Sequence, residues 1–164
     1  MDIRRVVLVQ HPAERMYDLI EGAEHYPEFL PWCASAMVLE RNESVVAATI
    51  GVDWHGVRFD FTTRNRKRRP EWLEVALERG PFRRFRGEWL LKPLGADGCR
   101  IDFTFQHEFA SEVLGRVASP VFQRLTDTLV DAFVHRADQL GDRIPPIAWV
   151  IADPSGPVHP RSGA

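Results

Sequence analysis

Six histidines (His11, His25, His55, His107, His135 and His159) and two cysteines (Cys33 and Cys99) are the residues most able to do chemistry in this 164-residue chain. The histidines are dispersed and form no ligand pair at helical spacing, so a metal site is not expected. Cys33 and Cys99 have neither metal nor redox spacing. Two buried thiols in a reduced, cytosolic setting is the favoured reading over a disulfide. There is no G-x-S-x-G elbow, HExxH pair, phosphate-binding Walker loop or dinucleotide glycine motif. Catalysis is therefore not expected, although a cyclase or hydrolase remains a third reading.

His107 stands apart. It falls on the apolar side of "CRIDFTFQHEF", near its end. One reading is a core-edge histidine bonded to a backbone carbonyl. The sharper one is a polar handle for a ligand carbonyl. Pairing with Glu108 is disfavoured, because neighbours on a strand point to opposite faces.

Two basic clusters raise a different chemistry. Arg64, Arg66, Lys67, Arg68 and Arg69 form one, and Arg83, Arg84 and Arg86 the other. Solvated edge charge explains them without function. Anionic lipid heads or ribosomal RNA phosphates are the functional partners they could take. One strand separates the clusters, which is expected to put them at opposite ends of a sheet. A net charge of −2 argues against wholesale nucleic-acid binding, and DNA is not an expected partner.

The elements that position these residues follow from period. "RRVVLVQ" reads as a first strand rather than a signal peptide, and "HPAERMYDLIEGAE" as a short helix with Met16, Leu19 and Ile20 on one face. Six further strands are expected within residues 35–109. Val57, Phe59 and Phe61 alternate with polar residues, as do Leu73, Val75 and Leu77, and then Ile101, Phe103, Phe105 and His107. Period two with one wet face marks an antiparallel sheet. From Val113 the period becomes helical through Leu114, Val117, Val121, Leu125, Leu129, Ala132, Phe133 and Leu140. Ser119 and Pro120 are expected to interrupt it, capping a main helix that runs to Gly141. Residues 1–141 form the expected domain. Residues 142–164 are a proline-rich tail, expected to be mostly disordered, with "IAWVIA" able to dock on a surface.

Strands and helices are segregated, so the fold class is α+β. One helix about 10 Å wide cannot cover a sheet near 30 Å across. "EHYPEFLPWC" (residues 24–33) sets Tyr26, Phe29, Leu30 and Trp32 around two prolines. It is expected to close one end of the gap between sheet and helix. Period does not decide whether that gap is filled or hollow.

Taken in order, "YPEFLPWC", "FTTRN", "GPFRRFRGEW", "CRIDFTFQHEF" and "DAFVHRADQL" resemble the coenzyme Q-binding branch of the START-like (polyketide cyclase, SRPBCC) superfamily. That branch includes bacterial ribosome-association toxins. The resemblance spans residues 1–141, and its most specific part is the "YPEFLPWC" segment. Departures are the absence of a tyrosine in "QLGD", Pro12 in place of a commoner serine, Phe85 in place of a leucine, and the tail. The resemblance implies a helix-grip: a curved antiparallel sheet wrapped around a long C-terminal helix, enclosing a hydrophobic cavity. It implies a ubiquinone-like prenylated quinone as bound lipid, with no cofactor required, supporting respiration or quinone biosynthesis. Expected ligand contacts are Tyr26, Phe29, Leu30, Trp32, Phe59, Phe61, Val75, Trp89, Phe103, Phe105, His107, Leu125 and Leu129. Tyr26, His107 and Arg64 are the candidates for polar contacts to a quinone ring. The alternative is a toxin that binds the large ribosomal subunit through the basic residues and inhibits translation. The expected location is cytoplasmic, with peripheral contact to the inner membrane left open.

Overall fold

The computed structural model describes residues 2–152. Seven strands run in chain order: β1 (Asp2–Val9), β2 (Cys33–Arg41), β3 (Val45–Trp54), β4 (Val57–Arg68), β5 (Trp72–Arg79), β6 (Phe82–Pro93) and β7 (Cys99–Phe109). They form one antiparallel sheet in the order β1-β7-β6-β5-β4-β3-β2. Between β1 and β2 lie α1 (Ala13–Glu21) and a 3-10 segment (Ala23–Glu28), and α2 (Glu112–Leu140) follows β7. This is the expected helix-grip: a curved sheet with one long helix laid across its apolar face.

Each strand's inner face is the one its period marks. Along β7, Cys99, Ile101, Phe103, Phe105, His107 and Phe109 are all buried, and the residues between them are not. On β6 a register shift between Phe82 and Arg84 leaves Arg83 and Arg84 both exposed, while Phe82 and Phe85 both face inward. A bulge of this kind inserts a residue and breaks strict alternation. On α1, Met16, Leu19 and Ile20 are buried as expected.

The long helix departs from expectation in three ways. It is continuous across Ser119 and Pro120, spanning 29 residues, or about 43 Å. Its cap is Ser111, whose hydroxyl accepts from the Leu114 N–H at 3.2 Å. Pro120 is exposed, and buried residues lie on both sides of it, Ala118 and Phe122 among them. Their burial against the sheet outweighs the hydrogen bond that proline removes. Finally, the buried line runs through Ala118, Phe122, Leu125, Thr126, Val130, Phe133 and Ala137, whereas Val117 is 61% exposed. The apolar stripe is broad, and packing selects a line about one residue later than the valines suggest. At the C-terminus Gly141 takes φ +56° and its N–H reaches the Ala137 carbonyl at 2.9 Å, so the helix stops where glycine predicts.

Beyond α2 the chain returns to the sheet edge. Val150 bridges Arg41 at the end of β2, through N···O distances of 2.6 and 2.9 Å. The docking expected for "IAWVIA" is thus made by its fourth residue, and the rest of the expected tail, 153–164, lies outside the described residues.

Candidate functional site

The proline-flanked segment lies against the interior of the grip. Pro27 sits inside the 3-10 segment, and Tyr26 and Phe29 turn inward onto Phe133 of α2, each with ring centroids 5.5 Å from it. The Tyr26 hydroxyl donates to the Ile20 carbonyl, closing the segment onto the end of α1. Leu30 and Trp32 are buried, while Pro31 is exposed. The prolines set the path and the aromatics fill the gap.

Most of that gap is filled. Phe59, Phe61, Phe82, Phe85, Phe105, His107 and Phe109 gather around Phe122, with ring centroids 4.8–6.5 Å from it. Toward the other end Trp89 stacks on Phe103 at 4.1 Å and meets Phe133 edge-on at 5.6 Å. Leu125 is buried in the same core, and Val75 and Leu129 pack on its margin. Gly87 is part of the fit: a Cβ there would come within 3.2 Å of the Phe105 ring.

Two clefts open at the ends of this interior. One, of about 330 Å³, lies where α2 begins, and is lined by Arg83, His107, Glu108, Phe109, Ser111 and Ser119 among others. The other, of about 210 Å³, lies beside the cap, with Leu19, His25, Phe29, Arg136, Leu140 and Ile144 in its wall. Of the expected ligand contacts, His107 faces the first cleft and Phe29 the second. The remaining eleven line neither cleft and lie in the packed interior or on its margin.

His107 is 3% exposed, and burial pushes its imidazole down to about 4, with Asp2 offsetting part of the effect. It is therefore neutral at pH 7 and carries one ring N–H. Glu108 points to the other face and pairs with Arg83 at 2.7 Å, so the two neighbours do not act together. Cys33 and Cys99 are free and buried, and burial raises both thiols to about 11. No group of three or more metal-ligating side chains occurs among the described residues.

The basic clusters do not stand as expected. Lys67 belongs to the inner face: its side chain is 6% exposed and its ammonium meets Glu21 at 2.8 Å. Arg69 is held by Asp18 through two bonds of 2.8 and 2.9 Å. Arg64 pairs with Glu40, and Arg84 lies 3.5 Å from Asp2. Nor are the clusters confined to opposite ends, since Arg66 and Arg86 both clamp Glu74, each at 2.9 Å. Hydrogen bonding from Arg66, with the charge of both arginines, holds the Glu74 carboxyl below its usual range. Arg68 makes no ion pair among the described residues.

A buried charged group escaped sequence reasoning altogether. Glu21 (side chain 0% exposed) lies between Lys67 and Arg41 (1% exposed), with Arg41 Nε 2.9 Å from Glu21 Oε2. That approach is within ion-pair distance but not along the N–H direction. Glu24 adds a second carboxylate, bridged by the Arg41 fork at 2.6 and 3.0 Å. The only signal in the sequence was an arginine at the end of an apolar strand, which reads equally well as a solvated terminus.

A family model for polyketide cyclase / dehydrase and lipid transport matches residues 9–134. The chain belongs to this family. Among its relatives is the ribosome association toxin RatA of Pseudomonas aeruginosa, 38% identical over 84% of this chain and 96% of the relative. A coenzyme Q-binding protein COQ10 homolog B, mitochondrial, from Xenopus laevis is 26% identical over 79% of this chain and 55% of its own length. In fold, the Zhui aromatase/cyclase from Streptomyces sp. R1128 superposes with a TM-score of 0.73 at 16% identity, over 85% of this chain and 94% of its own. Membership fits the seven-stranded grip described above. Among the described residues no helix is long and apolar enough to cross a membrane.

Proposed function

We propose that this protein binds a hydrophobic molecule of the prenylated-quinone class, without turnover, with the ring seated in the cleft at His107. One observation carries the reading. A buried, neutral histidine faces a cleft backed by aromatic rings, Phe122 at 4.8 Å and Phe109 at 6.1 Å. A quinone carbonyl would take a hydrogen bond from the imidazole in exchange for the contact His107 already makes, and Ser111 and Ser119 bring hydroxyls to the same wall. A volume of about 330 Å³ lies at the small end of sites for small molecules, about 300–1,000 Å³. It suits a ring. A prenyl chain would have to part the rings behind His107, each buried CH₂ then contributing about 0.8 kcal/mol. Such a role would support respiratory or biosynthetic use of the quinone, with the protein in the cytoplasm and in peripheral contact with a membrane.

The test is solvent extraction of protein purified from quinone-replete cells, followed by mass spectrometry, with decylubiquinone titration of the wild type and His107→Leu. Co-purified quinone and a weakened variant are expected. Protein that carries no lipid and ignores decylubiquinone would overturn the proposal.

A second reading is ribosome association, favoured by the 38% identical relative of that name. The outer-face arginines would be the contacts. Because Glu74 already engages Arg66 and Arg86, RNA phosphates would compete with a carboxylate, and Arg68 becomes the principal candidate. Co-sedimentation with large ribosomal subunits, falling as salt rises and lost in Arg66→Glu/Arg68→Glu/Arg86→Glu, is the expected outcome. Sedimentation unaffected by the triple variant would remove these residues from the interface.

A further inference from the structure

We infer that Arg41 is a positioning residue that couples the C-terminal strap, residues 148–150, to the aromatic cap over the interior. Arg41 is the last residue of β2. Its main chain holds the strap: its N–H donates to the Val150 carbonyl and its carbonyl accepts from the Val150 N–H. Its side chain makes four further hydrogen bonds, to three groups. Nη1 donates to Glu24 Oε2 at 2.6 Å and to the Ala148 carbonyl at 3.2 Å. Nη2 donates to Glu24 Oε1 and to the Glu21 carbonyl, both at 3.0 Å. One buried guanidinium thus touches the strap, the end of α1 and the first turn of the 3-10 segment together.

The cap depends on that turn. Glu24 precedes Tyr26 by two residues, and Tyr26 and Phe29 are the rings that close on Phe133. A bidentate fork fixes the carboxylate in direction as well as distance, which a lysine cannot do. Burial alone would raise the Glu24 carboxyl, but the hydrogen bond and charge of Arg41 outweigh it and hold it low. A separate tether serves the far side of the cap, where Arg136 lies over the Phe29 ring at 5.3 Å and 3.9 Å from Glu28. Undocking the strap removes an acceptor and the main-chain anchor from Arg41, and so loosens its hold on Glu24. The cap should then open more often while the sheet stays intact. The coupling does not rest on the binding role proposed above, whose cleft lies at the other end of the interior.

Amide hydrogen exchange on the full chain tests this without ligand. The perturbation is Trp149→Pro/Val150→Pro, which removes the strap's bonding N–H and touches neither cleft. The amide at position 41 reports strap release. The cap is reported by the Phe29, Leu30 and Cys33 amides, which bond within residues 26–33. Release should speed exchange at those three at least tenfold and leave Trp89 and Phe103 unchanged. Glu24→Gln should speed the same three with position 41 still protected. The inference is overturned if position 41 stays protected in the double-proline variant, or if it is released with no change in the cap. Equal acceleration at Trp89 and Phe103 would also overturn it, as general loosening.

Discussion

Protonation of His107 should destabilise the fold over a defined pH window. Burial lowers the group to about 4 in the folded chain, from an ordinary value of 6.5. A lowered value means that the unfolded chain takes the proton first. The contribution is therefore complete above about pH 6.5 and is lost as pH falls toward 4. For those two values the loss between pH 7 and pH 5 is about 2 kcal/mol, and about 0.7 kcal/mol of it has gone by pH 6. Carboxylates titrate in the same range, so the wild type alone is not diagnostic. His107→Gln keeps a polar, uncharged side chain and removes the titration. Urea unfolding of both proteins at pH 7, 6 and 5 should show the stability difference moving by about 2 kcal/mol in favour of the variant as pH falls. A difference that stays constant across that range would refute the claim that His107 is buried and neutral, and with it the donor assigned to the quinone carbonyl.

Three further outcomes follow from packing and charge. Arg41→Ala leaves Glu21 and Glu24 facing a buried vacancy and should cost about 3–5 kcal/mol in chemical denaturation, the range for breaking one side of a buried pair. Phe122→Ala removes the ring that seven others surround and should cost about 3–5 kcal/mol by the same measurement, together with loss of near-ultraviolet circular dichroism. Pro120→Ala restores a helical N–H at an exposed position and should raise stability by about 1–3 kcal/mol, with the melting temperature rising accordingly.

The sequence by itself determined the elements and their faces. Alternation in "CRIDFTFQHEF" placed Ile101, Phe103, Phe105 and His107 inward, because a strand's period of two leaves no other choice once one face is dry. Gly141 marked the end of α2, and the segment around Pro27 and Pro31 marked the cap and, by resemblance, the family. What needed tertiary structure was everything decided by neighbours distant in the chain. Pro120 lies within a helix because residues on both sides of it bury against the sheet, a gain that local propensity does not contain. Lys67 turned out to be an inner-face cation because Glu21, 46 residues away, meets it. Arg66 and Arg86 share one carboxylate because β4, β5 and β6 lie side by side, which brings Glu74 between them. Whether the aromatic interior is hollow was likewise beyond any periodic pattern. Period says which side chains point inward, while the space left among them depends on how rings from β4, β6 and β7, from α2 and from the cap interlock.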